Sequence, residues 1–183
     1  AGQLARRFNL PFRSGGSLCG SKLPDAQAAY ETTHTLNAAL LGGVNFMLHA
    51  CGWLEGGLVS SFEKFVLDAD QLGILHHLAR GVSITENDQA LDAIHEVGPG
   101  GHYLGCAHTQ ANFKEAFWRT EVLDYKPFET WEEEGAKDSM NLAAFRVEQM
   151  LANYQKPTLS PDISEALDAY IANKKSSMPD SFL

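Results

Sequence analysis

The chain has 183 residues, of which 44% are hydrophobic and 20% charged, enough for one domain with a substantial core. Its formal net charge of −9 excludes a nucleic-acid-binding surface, which needs a basic patch, and no apolar run approaches the roughly 20 residues of a membrane span. Three scattered cysteines, with no apparent signal peptide at the start, predict a reducing, cytoplasmic environment without a disulfide framework.

The first part of the chain alternates extended segments with helices. Residues 8–13 resemble a short strand or an extended entry. Pro24 followed by Asp25 predicts the start of a helix, and Gly42 with Gly43 predicts its end. Residues 44–50 are mostly apolar and bounded by glycines, so we expect a buried strand there.

The next predicted helix has the clearest pattern. Ser60 with Glu63 forms a capping-box sequence, and Gly81 stands where a C-terminal cap belongs. One apolar stripe is predicted to face the core along this helix: Phe62, Phe65, Val66, Ala69, Leu72, Leu75 and Ala79.

The remaining predicted elements are mostly helical. A shorter helix begins at Thr85 or Asn87, turns Leu91, Ile94 and Val97 inward, and stops at Gly98. Residues 120–135 show no period and predict an irregular excursion. Three further segments are expected to be helical: residues 108–118, 138–154 and 160–175. Residues 177–183 are expected to form a frayed tail.

This alternation predicts the α/β class. Only two or three strands are apparent, whereas a closed (β/α)₈ barrel needs eight strands and typically about 250 residues. The sequence therefore predicts either part of a larger barrel or a small open α/β domain.

The most informative candidate site is the glycine-rich loop after the predicted strand. Trp53 followed by Glu55 offers a π face and a negative charge, which together suit a cation that carries methyl groups. His49 lies at the end of the strand, where α/β enzymes place their chemistry. The alternatives are that Trp53 is a core residue and that His49 is a core histidine bonded to a backbone carbonyl.

Other candidate motifs are weaker. His102, Cys106 and His108 approach metal-ligand spacing but lack a carboxylate or a second cysteine pair, so we expect no metal site. Residues 98–105 fail as a phosphate loop, since Tyr103 occupies the place of the third glycine. Gln27 and Glu31 share a helix face, a spacing that more often marks a solvated edge.

Several segments resemble the trimethylamine methyltransferase family. The similarity is carried by residues 10–16 (LPFRSGG), 21–31 (SKLPDAQAAYE), 49–58 (HACGWLEGGL) and 97–104 (VGPGGHYL), with His108, Thr109 and the Trp131 region following in the same order. It covers nearly the whole chain.

The resemblance implies the C-terminal portion of a TIM (β/α)₈ barrel with extra C-terminal helices. We expect residues 1–183 to form a single domain, with barrel elements over about 1–120 and a helical extension over about 121–183. The strands missing from the sequence would then lie in an absent N-terminal part, and the isolated chain would be incomplete as a catalyst.

The resemblance also implies a reaction. Members transfer a methyl group from a methylated amine to the cobalt of a separate corrinoid protein, so the chain itself would bind no cofactor directly. The trimethylamine branch carries pyrrolysine, whereas this sequence contains only standard residues. That difference favours the branch in which some members demethylate glycine betaine or related quaternary amines.

The family reaction suggests roles for the candidate residues. His49 and Glu55 are the catalytic candidates, and the substrate-binding candidates are Trp53, Tyr103, Gln27, Glu31 and His102. Trp53 and Tyr103 would supply rings. Glu55 or Glu31 would supply the counter-charge.

The expected partners are a corrinoid protein, a small methylated amine and further copies of the chain, without nucleic acid or membrane. Two other functions stay open: a non-catalytic binder of quaternary amines on the same scaffold, and a metal-dependent hydrolase using His102, Cys106 and His108.

Overall fold

The computed structural model describes residues 1–178. Its helices and strands follow in chain order: α1 (Gly2–Arg7), β1 (Arg13–Gly15), α2 (Ala26–Leu41), β2 (Phe46–Leu48), β3 (Trp53–Leu54), β4 (Val59–Ser60), α3 (Phe62–Ala79), α4 (Glu86–Gln89), α5 (Leu91–Val97), α6 (Ala107–Asn112), α7 (Phe128–Glu133), α8 (Ser139–Ala152) and α9 (Pro161–Ser177). Residues 179–183 of the predicted frayed tail lie outside the described residues.

A parallel strand pair joined by a helix forms the α/β part of the fold. β1 pairs with β2 in parallel, with Arg13 opposite Phe46 and Gly15 opposite Leu48, and α2 makes the crossover that parallel strands require. Asp25 caps α2, as its carboxylate accepts the Ala28 N–H at 3.0 Å. The helix predicted there is confirmed.

The predicted buried strand is shorter and more exposed than expected. β2 covers only Phe46–Leu48, and Phe46 is 61% exposed, so the prediction of burial is wrong. Within the described residues β2 pairs only with β1, which leaves it without a second neighbour.

An antiparallel hairpin that the sequence did not predict follows β2. β3 pairs with β4, with Trp53 opposite Ser60, and a 3₁₀ turn over Glu55–Gly57 connects them. Left-handed backbone at Glu55 (φ 49°) and Gly56 (φ 63°) reverses the chain.

The long helix begins one residue later than its sequence suggests. Ser61 rather than Ser60 is the N-cap of α3, and its hydroxyl accepts the Lys64 N–H at 3.2 Å. The buried side chains of α3 are Lys64, Asp68 and Leu75, whereas Phe62 and Phe65 are exposed. Ala69 and Ala79 are exposed as well, and of the predicted apolar stripe only Leu75 is buried, so the prediction of a core-facing stripe is wrong along most of the helix. Gly81 has a φ of +72° just after the helix, as expected of a terminating glycine.

The predicted shorter helix is two helices in the structure. Thr85 caps α4 through a capping box with Asp88, and α5 ends at Gly98, where φ is +66°. Leu91 and Ile94 are exposed, so the prediction that they turn inward is wrong.

The segment after α5 is also more divided than predicted. The helix expected over 108–118 ends at Asn112 as α6, and α7 interrupts the supposedly irregular 120–135 region. Thr120 fastens this segment to α3, since its hydroxyl donates to Asp70 Oδ2 at 2.5 Å. The Trp118 ring lies against Gly73 of α3.

The chain divides into two compact units, one from Ala1 to Gln149 and the other starting at Met150. α9 belongs to the second unit, and its apolar side chains Ile163 and Tyr170 are exposed. No helix among residues 1–178 combines the length and apolar character needed to cross a bilayer.

Candidate functional site

The candidate site is the loop that leads from β2 into β3. Gly52 has a φ of +83° and is buried, and Trp53 next to it is half-buried. The His49 and Trp53 rings meet edge to face, with centroids 5.7 Å apart and planes at 76°. His49 is exposed and has a φ of +54°, so its interpretation as a core histidine is wrong.

The loop after β1 supports this segment through four hydrogen bonds. The Ser17 hydroxyl donates to the His49 carbonyl at 3.3 Å, and the Cys19 thiol donates to the Trp53 carbonyl at 3.1 Å. The remaining two run from Glu55 N to Ser21 O and from Gly56 N to Cys19 O, both at 2.8 Å. The carboxyl ends of the two parallel strands thus form one surface, where α/β folds place their sites.

The Cys19 thiol is suited to donate in that contact. Burial raises the pKa of this thiol, which outweighs the opposing effect of the Lys64 charge. The thiol therefore stays protonated at neutral pH and keeps its hydrogen for the Trp53 carbonyl.

A groove of about 310 Å³ opens beside Trp53, lined also by Cys51, Gly52, Ser60, Ser61, Phe62 and Phe65. Its aromatic residues offer ring surface to a methylated cation. Glu55, two residues after Trp53, is exposed and forms no ion pair with any residue of the described range. A carboxylate without a protein cation is available to a cationic ligand.

Glu31 and Gln27 act together on the loop after β1. Glu31 Oε1 accepts from Gln27 Nε2 at 2.8 Å, and Glu31 Oε2 accepts from Gly20 N at 2.5 Å. These two hydrogen bonds, the Gln27 bond first, lower the pKa of the Glu31 carboxyl, which is therefore anionic at neutral pH. Both oxygens hold local groups, so the structure gives these residues a loop-anchoring contact.

His102 and Tyr103 lie in the loop before α6, and both are exposed. In the part of the chain that the structure describes, neither is joined to His49 or Trp53 by a hydrogen bond or a ring contact. Of the sequence-predicted residues, the structure brings the His49 and Trp53 rings into contact, and Glu55 follows in the 3₁₀ turn after β3.

The residues of the metal-site alternative have other partners. His108 Nε2 lies 2.6 Å from the Asn87 carbonyl, and Cys106 Sγ lies 3.3 Å from Thr109 Oγ1. Across residues 1–178, no three histidine, cysteine or acidic side chains converge on a point that would hold a metal ion.

Sequence reasoning missed a buried ion pair. Lys64 and Asp68 of α3 are 2% and 4% exposed, and their charged atoms lie 2.5 Å apart. The sequence does show an i, i+4 pair of opposite charges here, but that spacing more often marks a solvated helix face than a buried ion pair.

The βαβ unit, with the glycine-rich loop at its strand ends, defines an α/β protein. The sequence model of the family described as trimethylamine methyltransferase (MTTB) matches residues 1–179. The chain belongs to the trimethylamine methyltransferase family.

Three relatives show how this similarity is distributed. The glycine betaine methyltransferase of Desulfitobacterium hafniense (strain Y51) is 44% identical over 172 residues, which cover 94% of this chain and 36% of that protein. The proline betaine:corrinoid methyltransferase of Eubacterium limosum is 32% identical over 92% of this chain and 35% of its own. Trimethylamine methyltransferase MttB of Methanosarcina barkeri (strain Fusaro / DSM 804) is 30% identical over 169 residues, which cover 92% of this chain and 34% of that protein. The chain spans about a third of the length of these relatives.

Proposed function

We propose that this chain contributes to a methyltransferase that moves a methyl group from a quaternary amine, glycine betaine being the first candidate, to the cobalt of a corrinoid carried by a partner protein. The observation that carries the proposal is the half-buried Trp53 ring, edge-on to His49 and beside a groove with two more aromatic rings. The proposed context is a TIM barrel completed by sequence beyond these residues.

The substrate chemistry fits such a site. A quaternary ammonium leaves as a neutral amine once the C–N bond breaks, so no general acid has to protonate it. The partner's cobalt(I) corrinoid would supply the nucleophile. The chain's own task is then to remove water from the cation, hold it against the Trp53 ring, and fix the direction of the methyl group.

Betaine is favoured over trimethylamine for two reasons. Identity is 44% to the glycine betaine relative and 30% to the trimethylamine relative. A betaine also carries a carboxylate, and the exposed His49 ring beside Trp53 offers a hydrogen-bond donor to it. Glu55 would balance the ammonium charge at the other side of the loop.

The test joins the 183 residues to the remainder of the Desulfitobacterium hafniense relative and measures methyl transfer from glycine betaine to a cobalt(I) corrinoid protein. Trp53→Phe keeps a weaker ring and should reduce kcat/KM modestly. Trp53→Leu keeps apolar bulk without the quadrupole and should cost about 1–2 kcal/mol of transition-state binding. Glu55→Gln preserves shape and tests the counter-charge separately.

Thermal unfolding of each variant serves as the control. If Trp53→Leu loses stability while the folded fraction transfers methyl groups normally, Trp53 is a core residue and the site lies elsewhere. Betaine binding without any transfer in the unmodified chimera would instead favour the non-catalytic binder.

A further inference from the structure

The buried ion pair of α3 lies beneath the candidate site. Lys64 Nζ lies 2.5 Å from Asp68 Oδ2 and also donates to Thr32 Oγ1 at 2.8 Å and to the Ser17 carbonyl at 3.5 Å. Burying two charges is expensive, and such a pair is often no more stabilising than apolar side chains of the same volume. Because stability alone does not explain this pair, we asked which other groups its hydrogen bonds hold in place.

Asp68 holds the residue that precedes Trp53. Gly52 N donates to Asp68 Oδ2 at 2.8 Å, and the Gly52 carbonyl accepts from Ser61 N, the N-cap of α3, at 3.0 Å. A Cβ on Gly52 would lie only 3.2 Å from Phe65 Cβ. Gly52 is thus fastened to α3 through both its backbone polar groups, and the direction of Trp53 follows from its backbone.

Lys64 connects the same network to the other side of the site. It donates to the carbonyl of Ser17, whose hydroxyl donates in turn to the carbonyl of His49 at 3.3 Å. One buried pair therefore contacts the loops at the carboxyl ends of both parallel strands. The network therefore reaches both rings of the edge-to-face contact: Asp68 holds Gly52, next to Trp53, and Lys64 reaches His49 through Ser17.

We propose that Asp68 is a positioning residue that orients Trp53 against His49 by holding the Gly52 amide, while Lys64 is the counter-charge that allows a carboxylate to be buried there. The consequence for catalysis rests on the proposed function, in which the Trp53 ring receives a quaternary ammonium. The conformational role does not depend on it.

Two double variants separate the hydrogen bond from the charges. Lys64→Met with Asp68→Asn removes both charges but leaves an amide oxygen for the Gly52 N–H. Lys64→Met with Asp68→Leu is equally neutral and of similar size but leaves that N–H without an acceptor. The measurement is NMR of the 183-residue chain at a concentration where light scattering shows a single copy, following the Trp53 indole N–H and the His49 ring protons, whose shifts report the edge-to-face contact.

The asparagine pair is expected to retain the unmodified shifts, and the leucine pair to lose the ring-current shift on His49. Retention of the shifts in both variants, or equal loss in both, would overturn the proposal. Should the leucine pair not fold, hydrogen exchange in the unmodified chain decides. A Gly52 amide protected as strongly as the α3 core amides supports the role, whereas exchange at the rate of an exposed loop refutes it.

The catalytic consequence is measured in the chimera with the remainder of the Desulfitobacterium hafniense relative. The leucine pair should raise KM for glycine betaine about tenfold above that of the asparagine pair, the effect expected of one buried donor left unsatisfied. Expected NMR shifts with no transfer by any variant, the unmodified chimera included, would refute the proposed function and leave the positioning role standing.

Discussion

Cys51, which lines the groove beside Trp53, illustrates how burial and nearby charges set the chemistry of a single residue. Burial raises the pKa of its thiol from an ordinary value near 9 to about 11, and the Asp68 charge adds to the effect in the same direction. Although the thiol lines a candidate site, it is a protonated packing group at neutral pH rather than a nucleophile.

We therefore predict that alkylation of Cys51 by iodoacetamide, followed by peptide mass spectrometry, shows a pH midpoint near 11 in the folded chain and near 9 in urea. Comparing midpoints rather than rates removes the effect of limited access. Asp68→Asn should lower the folded midpoint, because it removes a negative charge that disfavours the thiolate. A folded midpoint near 9 would show that the thiol is not buried as described.

The same shift has a consequence for stability, with a defined sign. Between pH 9 and 11 the unfolded thiol loses its proton while the folded thiol keeps it, so the unfolded state binds fewer protons. The Cys51 contribution to the free energy of unfolding is therefore complete below about pH 9 and is lost as the pH rises towards 11.

At the scale of elements, α3 is the part of the fold that supports the site and also anchors the chain after α6. Gly73, in the middle of α3, lets the Trp118 ring approach the helix backbone. A Cβ there would lie 2.1 Å from Cζ2 of that ring, closer than atoms can pack.

We predict that Gly73→Ala destabilises the chain, although alanine in a helix is normally favoured over glycine by about 1 kcal/mol. The Trp118 ring is only partly buried, so displacing it from the helix should cost about 1–2 kcal/mol of lost apolar contact. In a Trp118→Ala background the same change should become stabilising, which a double-mutant cycle by urea unfolding would reveal. Stabilisation by Gly73→Ala in the unmodified chain would contradict the packing of Trp118 on α3.

The helices that the sequence predicted best are those with local end signals. α2 begins two residues after Pro24, where its start was predicted, and ends before Gly42, while α9 begins next to Ser160, the first residue of the predicted segment. The hairpin of β3 and β4 escaped prediction because each strand has only two residues, too short for any period.

Burial was harder to predict than helix position. Phe62 and Phe65 were expected in the core because they are apolar at helical spacing, yet Lys64 and Asp68 occupy the buried face of α3. A charge is buried only where several elements supply partners, here Thr32 of α2 and Gly52 of the loop. These contacts join residues far apart in sequence, so no local pattern reports them.

The candidate site was predictable only where its residues are close together in the sequence. Trp53, Glu55 and His49 lie within one short segment of seven residues, so their closeness along the chain follows from the sequence. The support from Ser17, Cys19 and Asp68 depends on tertiary contacts. The roles of Tyr103, His102, Gln27 and Glu31 towards a substrate stay predictions.

At the scale of the whole molecule, β2, the hairpin and the first turn of α3 expose several large apolar side chains, which we call the apolar surface around β2. The exposed residues of this surface are Phe46, Leu58, Val59, Phe62 and Phe65. β1 and β2 pair only with each other within the described range, which leaves a backbone edge on each strand. Exposed strand edges with apolar side chains pair readily with other chains.

We predict that the 183-residue chain on its own self-associates and binds a dye specific for apolar surface. The reason is that the side chains of Phe46 and Leu58, which are exposed and lie outside the groove beside Trp53, gain free energy by leaving water, about 25 cal/mol for each Å² buried. Light scattering over a dilution series should show a mass that rises with concentration. Dye emission per chain should fall as the concentration rises over the same series, because association buries the apolar surface. The chimera with the remainder of the Desulfitobacterium hafniense relative is the control, and it should bind less dye per chain if the proposed barrel covers this surface. A monomer that persists at high concentration without binding dye would show that the surface around β2 needs no partner, and would remove the physical reason for expecting either a barrel or an oligomer.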